Sequence, residues 1–415
     1  MKLMQALYPL DRGFCSPDMD TAIGLLRNTI PFQRHVFRKN HNGWVVPPRW
    51  ETTKATISKN GKEIFNGKAH PLNMIAYSAP FKGKVSLSEL KKHLHFDSRN
   101  PNAIPYHFRQ GYRTWARDWG FCVPKTFYNS LTDGRYDVEI TTRESKGYIT
   151  VLEHTHHGKL PVTFVFVAHL DHPCMANDDL AGCIAGMELF KRLEGKATKF
   201  TYKLIILPEI IGSEFYLASM KKKRNFREAV FIEMLGTATP LRLQASYRGK
   251  SIIEAAISDE LGKKPEPFKT VIGNDENIWE SHQIPMCSLS RFPYGGYHSS
   301  EDNMKIISEK KIDEAADILE GAINRIENGI WVRKLFDGVL CLSNPKYDLY
   351  IDMGEPAFGT MKGKITNEAR MMMDVIPIMK PVFSLADLQK ATGATKKEAL
   401  EYLRRFEKKG LTVLI

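Results

Sequence analysis

Three continuous apolar runs constrain this chain more than any other feature: PVTFVFVAHL (161–170), TYKLIILPEI (201–210) and EAVFIEML (228–235). Each has the length of one strand and leaves no polar face, so each fits only a strand covered on both sides. Between the first two lies DLAGCIAGMELFKRLEG (179–195), apolar at helical spacing and closed by Gly195. Buried strands alternating with amphipathic helices are the pattern of parallel βαβ units and predict a doubly wound α/β domain. In such a sheet chemistry gathers beyond the carboxyl ends of the strands.

The 415 residues exceed one ordinary core and predict two or three domains. Residues 1–42 read as a helical part of the α/β domain, because DMDTAIGLLRNTI places apolar residues at helical spacing behind acidic ones. Residues 43–155 are broken by Pro, Gly and Asn into short β-rich pieces, with a hairpin signal at Asn60–Gly61 and one helix around SLSELKKHL. This stretch is expected to be an inserted accessory domain. The α/β core is assigned to 156–340. Residues 341–415 end in helix, a turn at Thr392–Gly393–Ala394, helix and strand, which is winged-helix texture.

Composition excludes several classes. A hydrophobic fraction of 43% with 26% charged residues is that of a globular protein, not a disordered one. No apolar run is long enough to span a bilayer, and the first residues lack a secretory signal. The six cysteines show no CxxC spacing, which argues against a zinc ribbon or disulfide framework and predicts a reducing cytoplasm. The net charge of +12 is spread along the chain; its one dense run, Lys221–Lys222–Lys223–Arg224, is read as a solvated connection.

The chemistry is concentrated in HLDHPCMANDDLAG (169–182). His169 ends the first apolar strand. Residues i and i+2 of an extended chain project to one side, so Asp171 is placed to orient the His169 ring. Asp178 follows in a turn before a helix. Glu209 and Glu233 stand at the ends of the next two strands, and Tyr297–His298 opens a Gly-flanked loop ending in Glu301–Asp302. Two histidines and three carboxylates thus converge on one rim, a nitrogen and oxygen set that suits zinc.

These residues, in this order, resemble the co-catalytic dizinc aminopeptidases, whose pattern is HxD, an ANDD-type turn opening a helix, carboxylates at two strand ends and a histidine loop. The whole chain is similar to an uncharacterised bacterial aminopeptidase-like family with a β-rich insert and a C-terminal winged helix, often associated with surface-polysaccharide genes. The resemblance implies a zinc-aminopeptidase-like (phosphorylase/hydrolase-like) core and one or two zinc ions. His169 and Glu233 would hold one ion, Glu209 and His298 the other, and Asp178 would bridge them. It also implies hydrolysis of an amide bond in a short peptide or aminoacyl conjugate, with Glu209 and Asp171 as catalytic residues.

Three departures bear on that reading, one of them a spacing from His169 to Asp178 shorter than is common in that family. Active members carry adjacent glutamates at the third motif, whereas this chain has Pro208–Glu209. If Glu209 is a ligand, Glu214, Asp275, Glu276 or His172 must supply the base; if Glu209 is the base, a ligand is lost. Glu233 stands where an aspartate is usual. His172 is equally a pocket-lining residue, and Arg291 and Tyr294 are candidates to bind a substrate carboxylate or carbonyl. His154, His156 and His157 are read as surface residues of a hairpin. Other readings remain: a deacylase of an N-acylated sugar or sugar nucleotide, a catalytically silent metal protein, or a DNA-binding regulator. The 371–415 helix pair is basic enough to touch phosphate, but Leu400, Leu403 and Phe406 have ordinary core spacing, so DNA binding is disfavoured. No membrane partner is expected, and self-association is left open.

Overall fold

The computed structural model describes residues 1–221, 223–249, 251–351 and 364–415; Lys222 of the basic run and the side chain of Arg224 lie outside the described residues. The chain divides into two compact units, 1–324 and 325–415.

The first unit opens with α1 (Lys2–Leu7) and α2 (Pro17–Arg27). Ser16 starts α2 by accepting a hydrogen bond from the Met19 amide, with Pro17 at the first helical position and Asp18 and Asp20 in the first turn. Strand β1 (Gln33–Phe37) follows. The β-rich stretch contains β2 (Arg49–Lys59), β3 (Lys62–Asn66), β4 (Phe81–Ser86), α3 (Leu87–Lys92), β5 (Leu94–His95), β6 (Phe121–Cys122), α4 (Lys125–Ser130) and β7 (Arg135–Ser145). Its main sheet has the order β3-β2-β7-β4. The β2–β3 hairpin turns at Asn60 and Gly61, with φ of 51° and 77°, as the dipeptide predicts.

Next come β8 (Ile149–His156), β9 (Thr163–His169), α5 (Gly182–Leu193), β10 (Thr201–Leu207), α6 (Ile211–Ser219), β11 (Phe226–Glu233), β12 (Arg242–Gln244), α7 (Ile252–Leu261), α8 (Glu276–Ser281), β13 (Met286–Ser290) and α9 (Glu309–Asn328). The central sheet has the order β1-β8-β10-β9-β11-β13-β12. The strands β10, β9, β11 and β13 are mutually parallel, while β1, β8 and β12 pair antiparallel. The three apolar runs are three of the four parallel strands. The chain steps from β9 to β10 on one side and then to β11 on the other, so the strand order reverses at β9. A crevice at such a switch point is where sheets of this kind bind ligands.

One boundary differs from the sequence reading. Strand β8, placed in the accessory stretch, belongs to the central sheet, because Ile149–Leu152 are buried and pair with β1, while Leu152–His156 pair with β10. Its register sets His156 opposite Tyr202, at the start of β10, whereas His169 lies opposite Leu207 at its end, so the His154–His157 run lies at the other end of the strands from His169.

The second unit contains β14 (Trp331–Lys334), α10 (Lys364–Ile378), β15 (Val382–Ser384), α11 (Leu385–Thr392), α12 (Lys396–Lys408) and β16 (Thr412–Leu414), with sheet order β15-β14-β16. It begins before residue 341 because its central strand is β14. Reciprocal capping boxes start α11 at Ser384 with Asp387 and α12 at Thr395 with Glu398, and Gly393 ends α11 at φ 73°. Leu403 and Phe406 are core residues, not surface ones. Among the described residues no helix is long and apolar enough to cross a membrane.

Candidate metal centre

Strand β9 delivers His169 to the switch point, where it is fully buried. The turn after it folds back and is held from several directions. Arg12, a buried residue of the N-terminal segment, donates to the carbonyls of His172 (2.6 Å) and Met175 (2.9 Å). Asp302 accepts the amides of Ala176 (3.1 Å) and Asn177 (2.6 Å) on one oxygen, and Asp178 N (3.0 Å) and the Tyr294 hydroxyl (2.6 Å) on the other. Asp179 accepts Gly182 N (2.8 Å), Met234 N (2.9 Å) and His169 N (3.2 Å). This carboxylate therefore joins the end of β9, the end of β11 and the start of α5. Burial pushes Asp179 up to about 8 and Asp302 up to about 6, each against backbone hydrogen bonds that favour the charged form.

With the turn fixed, Asp178 points into a cluster of imidazoles. Its Oδ1 lies 2.9 Å from His169 Nε2, and its Oδ2 lies 3.1 Å from both His298 Nε2 and His172 Nδ1. His169 Nε2, His172 Nδ1, His298 Nε2 and Asp178 Oδ2 are all buried, yet none makes a hydrogen bond. These atoms face one another at close range without hydrogen-bond angles. A divalent cation satisfies such a set, and its nitrogen and carboxylate oxygen donors are those zinc accepts. Burial alone would raise the Asp178 carboxyl, but His172, His169 and His298 hold it well below the usual carboxylate range.

The other expected residues fall into three groups. Asp171 Oδ1 is 3.2 Å from His169 Nδ1, the contact the i, i+2 spacing predicts, and also accepts Glu209 N at 2.8 Å. Glu209 Oε2 lies 3.5 Å from His172 Nε2. Glu233 ends β11, fully buried; its Oε2 accepts from the Asn274 side chain (2.9 Å) and its Oε1 has no hydrogen bond. Burial, reinforced by Glu276, keeps Glu233 well above the ordinary carboxyl range. Tyr297 stacks on the His298 ring at 3.9 Å.

A second group surrounds the cluster. Asp275 Oδ2 accepts Ile210 N (2.9 Å) while its Oδ1 has no hydrogen bond; burial, with Glu209 nearby, pushes it up to about 8. Glu276 accepts Asn274 N (2.7 Å) and the Gln244 side chain (3.2 Å). Tyr294 reaches Asp302, not open solvent.

The third group has a different task from the one expected. Arg291 is fully buried and donates to the carbonyls of Leu235 (3.0 Å), Thr239 (2.7 Å) and Lys311 (3.3 Å), with Glu314 at 3.2 Å. Its guanidinium is consumed by the scaffold, so it does not serve as a substrate clamp. Glu214, weighed as a base, is paired with His282 (3.1 Å) and His41 (3.3 Å). Sequence reasoning passed over Arg12 and Asp179 as functional supports. The paired aspartates of the turn were a usable signal for the second; nothing in the sequence marks the first.

An α/β unit with parallel central strands and a buried histidine–carboxylate cluster at its switch point defines an aminopeptidase-like fold, and the comparisons with known proteins agree. The chain belongs to the family described as "Domain of unknown function (DUF4910)", whose model matches residues 1–329. A Clostridium acetobutylicum protein, provisionally named a polysaccharide biosynthesis protein with aminopeptidase-like domain, is 26% identical over 338 residues, which cover 79% of this chain and 77% of that one. A crystal structure from Clostridium acetobutylicum, provisionally named a peptidase, aligns over 100% of this chain and 95% of its own, with a TM-score of 0.75 and 23% identity. The zinc aminopeptidase BSAP from Bacillus subtilis aligns over 78% of this chain and 92% of its own, with a TM-score of 0.61 and 14% identity.

Proposed function

We propose that the protein is a zinc-dependent hydrolase that cleaves an amide bond in a short peptide or aminoacyl conjugate. The observation that carries this reading is the convergence of unsatisfied buried atoms on Asp178, one of whose oxygens faces His169 while the other faces His298 and His172. The resemblance in fold to zinc aminopeptidases supports it, as does the C. acetobutylicum relative named for an aminopeptidase-like domain.

In this reading His169, Asp178, Glu209, Glu233 and His298 hold one or two ions, and the position of His172 makes it a further ligand candidate. A bound zinc supplies Lewis-acid activation of water and of the scissile carbonyl. The chain's own residues do the rest. Asp171 fixes the His169 ring and the Glu209 backbone together, so two candidate ligands share one support. Proline at 208 moves no proton, and Glu214 and Glu276 are already engaged. That leaves Asp275, with one buried oxygen free of hydrogen bonds, as the carboxyl best suited to take and return a proton. The relative is named for polysaccharide biosynthesis, which favours as a second reading that the amide belongs to an N-acylated sugar.

Metal analysis of the purified protein tests the proposal. Zinc is expected to bind stoichiometrically and to support cleavage of aminoacyl anilides, and Asp178→Ala is expected to weaken binding by more than about 100-fold, beyond the range of outer-shell changes. A folded protein that takes up no divalent ion at micromolar metal would overturn it.

A further inference from the structure

The side chains of the cluster are not equally enclosed. His169 and Asp178 are 0% and 2% exposed and His172 is 4%, whereas Glu209 is 12% and His298 is 20% exposed. The cluster therefore opens to solvent on the side of Glu209 and His298. Both residues are touched there by a segment of the β-rich stretch, residues 104–112, that sequence reasoning did not connect with the site.

This arm is stitched to the histidine loop. Tyr106 N donates to His298 O (2.9 Å), Ile104 N donates to the Ser300 hydroxyl (3.0 Å), and Ser300 N donates to Ile104 O (2.9 Å). Its rings then crowd the open side. Tyr106 lies edge-on to His172 at 5.1 Å and to His298 at 5.6 Å, and Phe108 lies edge-on to His298 at 5.4 Å. Tyr112 donates its hydroxyl to Glu209 O at 3.3 Å and meets Phe108 edge-on at 6.3 Å. All three rings are half-buried, neither in the core nor free in solvent. Rings standing edge-to-face leave apolar faces and edges that another ring can join in the same geometry.

We propose that the 104–112 arm is the specificity wall of the site, and that Tyr106 and Phe108 select substrates carrying an aromatic ring beside the scissile bond. The inference rests on the hydrolase reading and assigns to the β-rich stretch a direct part in substrate choice. It is the ring of Tyr106, not its hydroxyl, that makes the wall.

Calorimetric titration of the zinc-loaded full chain with hydroxamates tests this without a known substrate. Phenylacetohydroxamic acid is expected to bind about tenfold more tightly than acetohydroxamic acid, the scale of one added aromatic contact. Tyr106→Ala and Phe108→Ala should each reduce that preference to about threefold or less, with zinc stoichiometry and acetohydroxamate affinity unchanged; Tyr106→Phe should retain it. Equal affinities in the parent protein, or a preference that survives both alanine variants, would overturn the inference and leave the hydrolase reading standing. So would loss of zinc from both alanine variants, because the rings would then be supporting the ligands. Failure of every hydroxamate to bind a zinc-loaded chain would instead remove the open hydrolytic site, and the wall with it.

Discussion

Asp302 shows how much of the candidate centre depends on a residue that does not face the open site. It receives four hydrogen bonds at its two side-chain oxygens, three from consecutive amides of 176–178 and one from Tyr294. Asparagine at this position keeps one acceptor oxygen and turns the other into a donor, which then faces an amide and a hydroxyl. The Asp178 backbone should lose its fixed position while the Asp178 side chain stays present. Asp302→Asn is therefore expected to weaken zinc binding by about 10–100-fold, the usual scale for removing an outer support, and chelator competition measures it. Unchanged affinity would mean that the turn is held by Asp179 and Arg12 alone. His169, Asp178 and His298 were legible in the sequence because each stands where a strand or turn pattern ends. Arg12 was not, since its partners lie about 160 residues away and no local pattern records such a contact.

At the scale of elements, the apolar runs announced β9, β10 and β11, because a strand covered on both faces has no polar alternation. Strand β8 escaped the same reading. Its sequence, ITVLEHTH, breaks after four residues at Glu153, which looks like a surface residue. The structure gives Glu153 another use. It accepts from Tyr216 of α6 at 2.6 Å, lies 3.1 Å from His35 of β1, and is paired with Lys203 of β10. One buried carboxylate thus ties β8 to both neighbouring strands and to a helix. Burial would raise this group, but His35, Lys203 and Tyr216 hold it well below the ordinary carboxyl value. A folded-state pKa below the unfolded one contributes stability that is present above the unfolded value, about 4.3, and is lost as pH falls towards the folded one. Glu153→Gln leaves Lys203 without its carboxylate, with only the Thr155 hydroxyl at 2.7 Å, and is expected to destabilise the first unit by about 3–5 kcal/mol at neutral pH. Chemical denaturation at several pH values checks this: the gap between the two proteins should narrow below about pH 4. A gap constant with pH would assign the loss to packing, not to charge.

For the whole molecule, the division at 324 and 325 places every residue of the candidate centre, its supports and the 104–112 arm in the first unit. The family model ends at residue 329, and the similarity to the B. subtilis zinc aminopeptidase covers 78% of the chain. The second unit has its own buried set, including Val332, Leu388, Leu403 and Phe406, on a three-stranded sheet with two capped helices. A unit whose helix ends are capped by its own residues and whose core is its own has what a folded body needs. Each piece should therefore stand alone. A chain of residues 1–329 is expected to bind zinc with the stoichiometry and, within about threefold, the affinity of the full chain, because no donor atom is removed. Residues 330–415 should fold and bind no zinc, since the two histidines and three carboxylates proposed as ligands are absent. Differential scanning calorimetry of both pieces, with and without zinc, measures this: the metal should raise the melting temperature of the first piece alone, by linkage to its folded state. Loss of zinc binding on truncation, with the 1–329 piece still folded, would place a requirement for the centre in the second unit, and the assignment of the ligands would have to be revised there.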